Sequence, residues 1–74
     1  MRRYKNLSGS SGVTAYEAGP DYIIIQFVDG VKYLYSYFCP GKLFVERMKK
    51  LATAGKGLST FISTSVREKY EKKL

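Results

Sequence analysis

The side chains of this chain that could do chemistry are mostly cations and phenols. Its 74 residues hold thirteen Lys and Arg against six Asp and Glu, a formal net charge of +7, together with seven Tyr and no His. Lysine and arginine neutralise phosphates, and tyrosine rings offer π surfaces on which bases stack. Other chemistries have little to work with. Without histidine the commonest general base and metal ligand is missing, and Cys39 has no sequence partner to activate its thiol. The residues therefore read as no enzyme, with no cofactor and no metal implied, and Cys39 as a packing residue where a strand ends. The acids Glu17, Asp21, Asp29, Glu46, Glu68 and Glu71 are scattered, Asp21 and Asp29 at turn signals and the last three among basic residues. Turn and surface-pair roles suit them better than a catalytic couple.

The positive charge is lopsided. From Lys42 onward there are nine basic residues against three acidic ones, while the first half is nearly neutral. Such a field favours polyanions: RNA, DNA, an acidic protein surface or anionic lipid. A solvated surface with a basic bias accounts for the charge about as well. Candidate phosphate contacts are Lys49, Lys50, Lys56, Arg67, Lys69, Lys72 and Lys73. Gly55-Lys56-Gly57 lacks the longer glycine loop and the Lys-Ser/Thr ending of a phosphate loop, so it reads as a helix cap with a solvated lysine, at most a small anion site.

These groups must be positioned by one small domain. At this length the chain supports a single modest core, and 45% hydrophobic with 15% aromatic residues argue for a globular fold. No stretch has the length or apolarity of a signal-peptide core or a membrane span, so a soluble cytoplasmic protein is expected. Residues 1–12, with Arg2, Arg3 and Lys5 ahead of a Ser/Gly stretch, read as a flexible basic arm, and residues 13–74 as the domain.

Strands are expected at residues 13–18, along the apolar run 22–28, and after the Asp29-Gly30 turn signal, where the tyrosines recur. Tyr33, Tyr35 and Tyr37 lie two apart and so share a strand face. A two-residue Asp29-Gly30 turn would mix apolar and polar residues on both faces. A three-residue Val28-Asp29-Gly30 loop, with Gly30 left-handed in a G1 bulge, instead pairs Phe27 with Val31, Ile25 with Tyr33 and Ile23 with Tyr35. All the large apolar groups then share one face, with Tyr22, Ile24, Gln26, Lys32, Leu34 and Ser36 on the other. Tyr33 and Tyr35 become core residues in this register, which leaves Tyr22 or Tyr70 as the better candidates for base stacking. A helix follows, with Pro40 in its first turn, Phe44, Met48, Leu51 and Ala52 on its apolar stripe, Val45 at the border and Gly55 as its stop. Phe61, Ile62, Val66 and Tyr70 recur at helical spacing, and the Ser65/Glu68 capping-box spacing starts a last helix at Val66. The fold expected is α+β: a three-stranded antiparallel meander followed by two helices packed on one face of the sheet.

From about residue 10 to residue 70 the chain resembles the KTSC domain family, a module found at the C-terminus of some lysyl-tRNA synthetases and as free-standing bacterial and phage proteins. The likeness rests on Ser10-Ser11, Ile23-x-Ile25-x-Phe27, Gly30, Tyr33-x-Tyr35, Pro40, Lys56-Gly57, Phe61-Ile62-Ser63, Val66 and Tyr70. Ser63 stands where the family usually has Asn, and Gly55 where Ser usually precedes Lys-Gly. The resemblance implies structural roles for Gly30, Tyr33, Tyr35, Pro40, Gly57 and Tyr70, and RNA binding has been suggested for the family from its attachment to a tRNA-charging enzyme. Two classes of function follow. One is an RNA-binding module that reads shape more than sequence through its Lys/Arg-rich helical half. The other is a protein-interaction module, of phage or mobile-element type, docking an acidic partner or itself through a sheet face or edge. A lipid-surface role ranks third, and the oligomeric state is open.

Overall fold

The structure is a computed structural model that describes residues 1–7, 9, 11–66 and 68–74; Ser10 of the family-like motif lies outside the described residues. It is α+β, with five antiparallel strands in sequential order: β1 Arg2–Arg3, β2 Val13–Ala18, β3 Tyr22–Phe27, β4 Lys32–Ser36 and β5 Lys72–Lys73. Helix α1 spans Lys42–Ala54 and the short α2 spans Leu58–Phe61, which runs into a wide π-helical turn at Ile62–Val66. The expected three-strand meander is present as β2, β3 and β4, and both chain termini extend it by one short strand each.

The bulged hairpin register is observed. Ile23 pairs with Tyr35 and Ile25 with Tyr33, while Phe27 N–H donates to Val31 O at 2.9 Å and Gly30 N–H to Phe27 O at 2.8 Å. Gly30 sits at φ 85°, and Asp29 Oδ1 accepts the Val31 N–H at 3.0 Å, so the side chain fixes the turn that the glycine permits. Ile23, Ile25 and Tyr35 are thereby buried on the helix-facing side, with Phe27 and Tyr33 packed beside them.

Four expectations need correction. Residues 1–12 are not a free arm throughout, because Arg2 and Arg3 pair with Tyr16 and Ala15, and Tyr4 is only 3% exposed. Leu7 N–H also donates to Gly55 O at 2.7 Å, which ties this segment to the end of α1. Pro40 is not in the first helical turn: it bridges to Ser36, and α1 starts at Lys42 after Gly41. The buried stripe of α1 is Val45, Met48 and Ala52, whereas Phe44 is 38% exposed, with its ring 6.3 Å from that of Phe61. Small Val45 and Ala52 let the helix approach the tyrosine-bearing sheet, which a stripe centred on Phe44 would hold off. Among the described residues no helix starts at Val66, which ends the π-helical turn, and the chain returns as β5 against β4.

Helix α1 does stop at Gly55, whose N–H donates to Leu51 O at 2.9 Å from φ 82°. A Cβ there would lie 2.6 Å from Lys5 Cβ, so glycine serves both the left-handed cap and the close approach of the N-terminal segment. Leu58, Ile62 and Val66 close the core below it. Among the described residues no helix is long and apolar enough to cross a membrane.

Candidate nucleic-acid interface

The seven candidate cations do not form one helical surface. Lys49 and Lys50 are on α1, and Lys56 joins the two helices. Lys69 follows the π-helical turn, and Lys72 and Lys73 form the edge strand rather than a helix. Arg67 lies outside the described residues. Lys49 is committed internally: its Nζ donates to Glu46 at 2.9 Å and to Pro20 O at 3.2 Å, 5.6 Å from the centroid of the Tyr37 ring. Tyr37 OH donates to the same Glu46 carboxylate. That bond first, and Lys49 second, hold the Glu46 carboxyl below the usual carboxylate range, and the same bond raises the Tyr37 phenol.

Lys49–Glu46 is the one ion pair among the described residues. Three of the other acids accept from neutral donors. Glu17 accepts from Tyr22 OH at 3.3 Å, Glu71 from Ser36 Oγ, and Asp29 from the turn amide. Lys50, Lys56, Lys69, Lys72 and Lys73 are exposed and carry no ion pair with a described residue.

Two of these cations form the β4–β5 edge, where Lys72 lies opposite Leu34 and Lys73 opposite Tyr33. Glu71 N–H donates to Leu34 O at 2.7 Å and Leu74 N–H to Lys32 O at 2.8 Å, so the pairing extends beyond the two-residue strand and brings Lys32 alongside. Directly opposite residues share a face, which puts Lys72 on the uncovered side of the sheet and Lys73 on the helix side. Tyr70, just ahead of β5, packs its ring on Tyr33 with centroids 4.6 Å apart and on Tyr35 at 6.2 Å, while Tyr33 meets Phe27 edge-on at 5.6 Å. Burial first, then Tyr33 and Tyr70, push the Tyr35 phenol up to about 12.

Sequence reasoning placed Tyr70 among the stacking candidates, and the structure puts it beside this basic edge. Tyr22, the other candidate, is held by Glu17, with its ring 2.0 Å from where a Cβ on Gly19 would stand. Ser36, expected on the outer face, is buried at 8% and bonded to Glu71. The Gly55-Lys56-Gly57 link offers an anion little, since Leu58 N–H already donates to Tyr4 OH at 3.3 Å. Cys39 packs half-buried with its Sγ 3.7 Å from Tyr70 O, and no three His, Cys, Asp or Glu among the described residues converge as metal ligands. Sequence reasoning did not single out Lys32 for the edge or anticipate that Tyr4 is core. The N-terminal Arg2-Arg3 and C-terminal Lys72-Lys73 pairs were the available signal, because lysine and arginine are common on edge strands.

A scan against protein-family models matches no family, and comparisons with curated proteins and with solved structures find no match.

Proposed function

We propose that this protein is a small, non-catalytic polyanion-binding module whose ligand is single-stranded RNA, held at the β4–β5 edge by Lys32, Lys69, Lys72 and Lys73. One observation carries the reading: a chain of net charge +7 spends only one of its cations on an ion pair among the described residues. Uncompensated positive charge raises the local concentration of a polyanion and is released from repulsion when phosphates bind. The resemblance to the KTSC family points the same way.

The test is fluorescence anisotropy with a labelled single-stranded RNA across a salt series. Micromolar or weaker, sequence-tolerant binding is expected, as for other non-specific binders at physiological salt. Converting Lys69, Lys72 and Lys73 together to Glu should weaken binding and reduce the log–log salt slope by about 0.7 for each phosphate that is no longer neutralised. Lys50→Glu with Lys56→Glu should do less, and both variants should melt near the parent. Absence of RNA binding at low salt would overturn the proposal.

A protein-interaction role is the second reading, favoured by Phe38 and Leu43, which stand 89% and 86% exposed near the start of α1. A partner seated on them would survive both nuclease and high salt.

A further inference from the structure

The helix-facing side of the sheet is not covered along its whole length. Near the β3–β4 turn it opens into a cavity of about 440 Å³, lined in part by Phe27, Tyr33, Tyr35 and Tyr70 and by the two acidic residues Asp29 and Glu68. Three of these rings are half-buried and Tyr35 is 1% exposed, so the cavity has an aromatic floor and aromatic walls. The volume falls within the range of small-molecule sites. Both carboxylates belong to exposed residues. Asp29 is already fixed by the Val31 amide, whereas Glu68 has no hydrogen bond or ion pair among the described residues.

We infer that this cavity seats an unstacked guanine of the bound RNA, with its ring against the Tyr33–Tyr70 wall and its Watson–Crick edge donating to Glu68. The inference rests on the RNA reading for its setting and adds to it one recognised base within a contact that is otherwise sequence-tolerant. Aromatic walls accept any base, since every base has a π face. The carboxylates supply the choice. At neutral pH a carboxylate only accepts hydrogen bonds, and both oxygens of one group can be filled by a pair of adjacent donors. Guanine presents such a pair, N1–H and the N2 amino group. Adenine and cytosine set a ring acceptor beside their amino group, and uracil flanks its one N–H with carbonyls, so each would turn a lone pair toward the carboxylate. Asp29 is a second acceptor on the same cavity.

The surrounding cations favour an anionic ligand over a bare organic cation, which an aromatic cavity with carboxylates could otherwise attract. Lys69 lies between Glu68 and Tyr70 in the chain, and Lys73 is opposite Tyr33 in the sheet. Phosphates on either side of a seated guanine would therefore meet positive charge, while a quaternary ammonium would meet it as repulsion.

The test uses amide-resolved NMR titrations of the full chain with uncharged guanosine, adenosine, cytidine and uridine, and with choline. Guanosine should shift the Tyr33, Glu68 and Tyr70 amides and bind about tenfold or more tighter than the others, as a two-bond base contact discriminates. Glu68→Gln, which replaces an acceptor with a donor at an exposed position, should abolish that preference without changing the melting temperature. A uridine oligomer with one central guanine should bind tighter than guanosine monophosphate. Equal binding of the four nucleosides, binding of choline alone, or a monophosphate as tight as the oligomer would overturn the inference. Nucleosides carry no phosphate, so failure of guanosine leaves salt-dependent RNA binding standing, and guanosine binding without any RNA affinity would fail the RNA reading instead.

Discussion

Tyr4 is the residue at which a free basic arm and a structural N-terminus predict opposite results. Its side chain is 3% exposed within the core cluster, its N–H donates to Thr14 O at 3.0 Å, and its hydroxyl accepts the Leu58 N–H at 3.3 Å at the start of α2. Tyr4→Ala removes a buried ring and strands that amide, for which large aromatic truncations give about 3–5 kcal/mol. Tyr4→Phe keeps the ring and deletes only the acceptor, which costs about 1–3 kcal/mol, nearer the lower figure because the bond is long. A chain of this length holds about 4–11 kcal/mol in total. The alanine variant should therefore sit at the margin of folding. With a urea slope of about 1 kcal/mol per molar, the phenylalanine variant should lose about 1 M in its denaturation midpoint and the alanine variant about 3 M or more. Urea titration followed by circular dichroism reads both. A Tyr4→Ala protein with the parent midpoint would show that the first residues are not part of the core.

Two further predictions concern the hairpin. Gly30→Val should cost about 1–2 kcal/mol by thermal melting, because φ 85° is strained for a β-branched residue although nothing lies within 4 Å of an added Cβ; Gly30→Asn should cost much less, and equal loss from both would show that the left-handed conformation is not what glycine supplies here. The Tyr35 phenol, raised from 10 to about 12 by burial, holds its proton more tightly in the folded state, so its contribution is complete below pH 10 and is lost as pH rises through 12. Tyr35→Phe should flatten that part of the alkaline unfolding curve, and an unchanged curve would mean that the hydroxyl is solvated.

The hairpin was legible because strand faces alternate strictly. Of the two short-loop registers of β3 against β4, one collects Ile23, Ile25, Phe27, Tyr33 and Tyr35 on one side, and the other, a one-residue slip, would bury Lys32 instead. The end of α1 was legible for a similarly local reason, since Gly55 breaks the helical pattern itself. The phase of α1 was not. Phe44 and Val45 differ by one position, and the choice between them depends on how closely the helix approaches a sheet whose inner face carries Tyr35, a tertiary fact that helical periodicity does not contain.

The candidate interface was least legible, and the cause lies in residues 68–74. In the sequence Arg67 and Glu71, and Glu68 and Lys72, are opposite charges four apart, a spacing that suits a solvated helix, so local pattern argues for helix. The competing hydrogen bonds come from Leu34 and Lys32, more than thirty residues earlier, and no local pattern reports them. Once the segment is a strand, its side chains alternate between the two sides of the sheet. Lys72 goes to the open face and Lys73 to the side of Tyr33. A helix would not have paired the same lysines with Leu34 and Tyr33. Strand pairing instead sets Lys73 opposite Tyr33, which lines the aromatic cavity together with Tyr70 and Glu68, so the chemistry proposed for this edge depends on a contact between distant parts of the sequence.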